Sequence, residues 1–184
     1  MQTYRVTLAY EGSEFVGWQR QSAGESVQGL VEAALTELAG GHEVTVTGAG
    51  RTDAGVHALG QVASFTLARE MAPEALARAM NARLPAAVRV VAAALVPLTF
   101  HARFDARSKV YRYRIWNGEV LSPFERRHVW HLTGALDVEA MRAASGVLLG
   151  RHDFAAFRAA GTLTRTTERV LSCLTIEVDD RTGP

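Results

Sequence analysis

The stretch Gly48-Ala49-Gly50-Arg51-Thr52-Asp53-Ala54-Gly55-Val56-His57-Ala58 constrains the fold more than any other part of the chain. Glycines at 48, 50 and 55 make it too permissive for regular structure. Apolar alternation lies on both sides, with Val44 and Val46 before it and Ala63, Phe65 and Leu67 after it. The chain must therefore run strand, loop, strand, with an acid in the middle of the loop. The glycines also let a bulky partner approach the backbone closely. Two readings of Asp53 stand at this point. A carboxylate beside the Arg51 guanidinium is favoured in its ionised form, as a nucleophile or general base requires. Alternatively the loop is a tight turn in which Asp53 caps backbone amides and Arg51 is its surface partner.

Two familiar loop motifs are excluded by inspection. A dinucleotide fingerprint starting at Gly48 would need glycine where Asp53 stands. A phosphate-cradling loop from Gly50 to Gly55 would need Lys and then Ser or Thr, and the chain has Val56 and His57.

The surrounding pattern predicts an α+β fold. Residues 2–10 alternate, with Tyr4, Val6, Leu8 and Tyr10 on one face of a strand. Ser26 can cap a helix carrying Val27, Leu30, Val31, Leu35 and Leu38, ended by Gly40 and Gly41. Strands at about 43–48 and 59–67 flank the loop, a helix starts near Pro73 with Leu76, Met80 and Leu84 on one side, and a strand covers about 88–96. This order, β-α-β-β-α-β, is the ferredoxin-like pattern. The second half predicts a strand over Val110–Trp116, then a helix capped by Asp137 with Val138, Met141, Leu148 and Leu149, ended by Gly150. A strand over Val170–Val178 follows. The expected division is 1–100 for the complete module and 101–184 for an apparently incomplete β-α-β half module. A final strand without partners would leave unpaired backbone groups.

Net charge of +1 over 184 residues announces no nucleic-acid partner, and its distribution says more. Between His101 and His131 stand seven basic residues, Arg103, Arg107, Lys109, Arg112, Arg114, Arg126 and Arg127, against three acids. Phe104, Tyr111, Tyr113, Trp116, Phe124 and Trp130 interleave with them. Phosphate contacts mixed with stacking faces suit a flexible or single-stranded nucleic acid, although a solvated, charged strand pair has the same composition. Cys173 is the single cysteine, so a Cys-based metal cage and an intrachain disulfide are excluded. The six histidines lack metal-ligand spacing, and no metal site is predicted. His57 stands close to the acid and is either a base or a structural member of the loop. No signal pattern or membrane-length apolar run is present, which predicts a soluble cytoplasmic protein.

The loop resembles the catalytic loop of the TruA-type tRNA pseudouridine synthases, which isomerise uridines in the anticodon stem-loop. Three further motifs carry the resemblance in the family's order: Tyr10-Glu11-Gly12 through Phe15-Val16-Gly17-Trp18-Gln19-Arg20-Gln21; Phe100-His101-Ala102-Arg103-Phe104-Asp105-Ala106-Arg107 with Lys109-Val110-Tyr111-Arg112-Tyr113; and Leu148-Leu149-Gly150-Arg151-His152-Asp153-Phe154 with Phe157-Arg158. Members typically continue with a further strand and a helix whose apolar and basic residues line the uracil pocket and meet the catalytic aspartate. This chain is C-terminally short of that block, so it is naturally short, a fragment, or completed by a partner.

The resemblance implies that Asp53 is catalytic, that Arg51 orients it and holds the phosphate of a flipped nucleotide, and that Tyr111 stacks on the uracil. His57, Lys109, Arg112 and Arg114 complete the expected substrate-binding set. It implies a tRNA anticodon arm as partner, a homodimer, no cofactor and no metal. A catalytically inactive RNA-binding homologue and a ferredoxin-like small-ligand or interaction domain are the competing readings. Phe15, Trp18, Phe154 and Phe157 are expected to pack in the core or under loops, while Gln19 and Arg20 are open to either role.

Overall fold

The computed structural model describes residues 1–158 and 166–179. Two compact units divide the chain, Met1–Tyr111 and the residues from Arg112 onward. The first contains β1 (Gln2–Tyr10), α1 (Val27–Leu38), β2 (Thr47–Gly48), β3 (Ala58–Leu67), α2 (Pro73–Asn81) and β4 (Val88–Val96). Its sheet has the order β2-β3-β1-β4, with every neighbouring pair antiparallel. The fold is α+β.

Alternation in β1 buries Tyr4, Val6, Leu8 and Tyr10 on one face, beside Ala63, Phe65 and Leu67 of β3 and Val88 and Val90 of β4. Val27, Val31 and Leu35 of α1 and Leu76 and Met80 of α2 close over that face, all five fully buried. α1 begins where the Ser26 hydroxyl accepts from the Gly29 amide at 3.2 Å. α2 starts on Pro73, whose missing N–H costs nothing in a first turn. The Tyr4 hydroxyl donates to the Met71 carbonyl and accepts from the Met71 amide, tying the approach to α2 onto the central strand. Beyond β4 the chain stays with this unit: Ala102 is buried, and its N–H donates to Ser64 of β3 at 3.1 Å.

The strand expected over 43–48 is only two residues long. Val44 and Val46 are buried as the alternation predicts, but side chains of α1 hold their backbone groups. Val46 N–H donates to Glu32, its carbonyl accepts from Gln28, and Val44 N–H donates to Thr36. A segment so satisfied needs no strand ladder.

The second unit has β5 (Ile115–Asn117) parallel to β6 (Trp130–Leu132), α3 (Val138–Ser145), and β7 (Gly150–Asp153) antiparallel to β8 (Glu168–Leu171). Asp137 caps α3 through the Ala140 amide, as expected. The helix stops at Ser145 and a 3₁₀ turn carries Gly146–Leu148. The strand expected over Val110–Trp116 is confined to its end: among the described residues Ile115–Asn117 pair with β6, and the Arg114 carbonyl just before them accepts from Trp130 N–H at 2.8 Å. Likewise the strand expected over Val170–Val178 is short and starts earlier, since β7 offers four residues for pairing, up to Leu171. No hydrophobic side chain is buried among the described residues of this unit. Among the described residues, no helix is long and apolar enough to cross a membrane.

Leu76 and Leu59 provide a direct test of where the core lies. Leu76→Ala is expected to cost about 2–5 kcal/mol in urea unfolding, whereas Leu59→Ala, at an 86% exposed side chain, should stay within about 0.5 kcal/mol.

Candidate active site

The loop between β2 and β3 is held by the segment that follows β1, through main-chain bonds on both sides of Asp53 and through the side chains of His57 and Trp18. Trp18 N–H donates to the Thr52 carbonyl at 2.9 Å and Gly55 N–H to the Phe15 carbonyl at 3.3 Å. Gly12 N–H donates to His57 Nδ1 at 3.0 Å, and that nitrogen lies 3.3 Å from the Glu11 carboxylate. Within the loop, Val56 N–H closes a turn on the Asp53 carbonyl at 3.2 Å. Two glycines permit this approach. A Cβ on Gly12 would collide with the Val56 carbonyl, and one on Gly17 would lie 2.6 Å from the Thr52 carbonyl oxygen. Gly17 also has φ +106°, which L side chains rarely adopt. The indole of buried Trp18 lies against Gly48, so the loop's entry is fixed too.

A polar strut braces the same two segments. Gln19 Nε2 and Arg20 N–H donate to Gln28 Oε1, and Gln28 Nε2 donates onward to Glu32 and to the Val46 carbonyl. Buried Glu32 meets the Arg20 guanidinium at 3.4 Å. Gln19 and Arg20 thus serve the scaffold in this structure, and Phe15 and Trp18 are buried as expected. Phe154 is half-buried; Phe157, expected in the core or under a loop, is not in the core but exposed, with its ring edge-on against Phe154. The 3₁₀ turn that carries the ring has no buried residue of its own.

Asp53 and Arg51 are both exposed at the loop's tip, and no ion pair joins them among the described residues. Both side chains face water, where such a pair is worth about 0–1 kcal/mol and does not fix a long guanidinium. Lys109 does reach the loop: a Cβ on Gly50 would lie 2.7 Å from its ammonium nitrogen. Tyr111 closes the first unit with its ring exposed, and no hydrogen bond or ring contact joins it to the loop among the described residues. Arg112 and Arg114 belong to the second unit, where Arg114 pairs with Glu125 at 2.9 Å.

Sequence reasoning missed Tyr10, Thr52 and Gln61 as a group. Tyr10 and Thr52 share a hydroxyl hydrogen bond of 2.8 Å, and Gln61 Nε2 donates to the Gly50 carbonyl at 2.6 Å. Burial pushes the Tyr10 phenol above its ordinary value of 10.0, against smaller lowering by Thr52 and Gln61. Folding therefore favours the neutral phenol, and this contribution is intact below the ordinary value and fades as pH rises through the raised one. Gln28 and Glu32 were also missed: their spacing lets them interact on one helix face, but burial at these positions is visible only in the structure.

Gly17→Ala is expected to destabilise by more than the roughly 1–3 kcal/mol of an unfavourable backbone angle alone. Gly41→Ala supplies the comparison, having φ +93° with open space around it. Equal losses in the two variants, measured by urea unfolding, would refute the close-contact argument.

A family model described as tRNA pseudouridine synthase matches residues 7–105, which contain both segments of the clamp. A tRNA pseudouridine synthase A from Methylacidiphilum infernorum is 51% identical over 154 residues, covering 84% of this chain and 60% of its own length. The Syntrophotalea carbinolica protein of the same name is 48% identical, covering 92% of this chain and 67% of that relative. For one from Cereibacter sphaeroides the values are 48%, 96% and 69%. The chain thus spans between 60% and 69% of the length of these relatives. With identity this high across nearly all of its residues, the chain belongs to the tRNA pseudouridine synthase family.

Proposed function

We propose that this chain carries the catalytic loop of an enzyme that isomerises uridine to pseudouridine in the tRNA anticodon stem-loop, with Asp53 as the essential carboxylate. The observation that carries the reading is the loop itself. Asp53 stands exposed on a backbone pinned from both sides by main-chain contacts, inside the residues that match the family. A reactive acid needs that combination of access and fixed position.

The reaction breaks the bond between N1 of uracil and C1′ of ribose, turns the base, and joins C5 to C1′. Atoms and oxidation state are conserved, so the chemistry calls for no cofactor and no metal. Asp53 acts either by covalent attack on the sugar or base or by assisting a glycal route. Arg51, free of an ion pair with Asp53 at the loop tip, is available to a phosphate of the flipped nucleotide. Lys109 adds positive charge beside Gly50, and His57 braces the loop through the Gly12 amide. Tyr111 stacks on the uracil and assists proton removal from C5.

Base extrusion costs a few kcal/mol, and one aromatic stack returns about 1–3 kcal/mol. Tyr111 alone barely balances it, so affinity rests on phosphate contacts from the basic segment, Arg112 and Arg114 included. The strand order β2-β3-β1-β4 supports the ferredoxin-like arrangement for the first module. The working form in this reading is a cytoplasmic homodimer that grips tRNA across two subunits.

Asp53→Asn is expected to retain the fold, to keep tRNA affinity within about twofold, and to abolish turnover. Tritium release from C5-labelled uridine in unmodified tRNA measures this directly. Release by the variant would remove Asp53 from the mechanism, and absence of release from the parent as well, with tRNA binding intact, would favour an RNA-binding homologue. Replacing Arg112 or Arg114 should weaken binding for all tRNA substrates alike. The log–log salt dependence should flatten by roughly 0.7 for each phosphate that is no longer neutralised. Unchanged binding and slope in both variants would rule out the basic segment as a phosphate surface.

A further inference from the structure

Asp53 gets its direction from the loop backbone, since no ion pair with Arg51 holds its side chain. What fixes that backbone next to Asp53 is Thr52. Its carbonyl accepts from Trp18 N–H at 2.9 Å, and its hydroxyl meets the Tyr10 hydroxyl at 2.8 Å. Gly50, on the other side of Arg51, is held through its carbonyl by Gln61. Tyr10 and Gln61 come from neighbouring strands at an irregularity in the β1–β3 ladder. Leu8 pairs with Gln61 but Tyr10 pairs with Ala58, so one strand gains a residue on the other just beyond the loop. Such a bulge re-aims side chains at the end of a ladder. Here it coincides with a buried phenol oxygen standing under the residue that precedes the acid.

We propose that Tyr10 is a positioning residue for Asp53: its buried hydroxyl, bonded to Thr52, locks the loop backbone beside the acid and so fixes where the carboxylate points. The phenol ring belongs to the core and packs against Trp18, with ring centroids 6.3 Å apart. Only the hydroxyl is spent on the loop. A phenol is protonated across the neutral range, and burial only raises its pKa further, so the bond to Thr52 does not depend on pH there. The proposal rests on the reading of Asp53 as the reactive acid, and its test separates the two.

The test compares the 184-residue chain with Tyr10→Phe, Thr52→Val and the double variant. Tyr10→Phe keeps the ring, and Thr52→Val keeps the side-chain shape. The first readout needs no turnover: amide hydrogen exchange at Trp18, Gly55 and Val56, whose N–H groups close the clamp. In each single variant these amides should exchange about tenfold faster relative to amides at the centre of the β1–β3 ladder. The double variant should add nothing, because both changes remove the same bond. Unchanged loop exchange, or loop and ladder loosened equally, would overturn the proposal. The second readout is pseudouridine formation, in which kcat should fall about tenfold while tRNA Kd stays within about twofold. An unchanged kcat with a loosened loop would also overturn it. A parent chain without turnover would count against the synthase reading while the exchange result still decides whether Tyr10 holds the loop.

Discussion

The contact on which the candidate site depends is between two stretches of backbone. Residues 12–18 and 48–57 approach so closely that Gly12 and Gly17 leave no space for a side chain. Contacts made by side chains can be repacked after a substitution, but main-chain contacts at this range cannot. The loop therefore inherits its shape from the first strand and its extension. An exposed acid needs such a frame, because water and motion otherwise dilute any fixed direction.

The frame is itself anchored by α1. Gln28 and Glu32 reach from one helix to Gln19 and Arg20 on one side and to Val46 on the other. A buried carboxylate is costly unless its oxygens are satisfied. Glu32 Oε1 meets this demand with the Val46 amide and the Gln28 side-chain amide, while buried Oε2 accepts no hydrogen bond among the described residues and is compensated only by the charge of the Arg20 guanidinium at 3.4 Å. Desolvation thus makes the strut specific: displacing either segment would leave the carboxylate short of partners.

Much of the first unit was legible because its elements are amphipathic. β1, β3, β4 and both helices announce themselves by alternation or helical spacing, and Ser26, Gly40, Gly41 and Pro73 mark helix ends. β2 was not legible at its true length, since periodicity reports burial and says nothing of which groups satisfy the backbone. The same limit applies to Val110–Tyr113, which read as strand from sequence but pair with no strand among the described residues. Asp53 could be singled out from its glycine-rich setting, and its exposure agrees with that setting. Tyr10 could not, because a residue counted in a strand's apolar face gives no sign that its hydroxyl extends beyond the core. Gly12 and Gly17 show the converse: their importance comes from the partner backbone, which lies some forty residues away in sequence.

The short β2 has a consequence for how this protein behaves in a crowded solution. A sheet edge usually offers a row of free amides and carbonyls on which another chain can add a strand. The Val44 and Val46 amides and the Val46 carbonyl are already taken by Thr36, Glu32 and Gln28. The helix thus occupies the run into β2 with side chains, leaving those groups unavailable to an incoming strand. The polar residues that brace the candidate active site also make that stretch of the molecule a poor template for self-association.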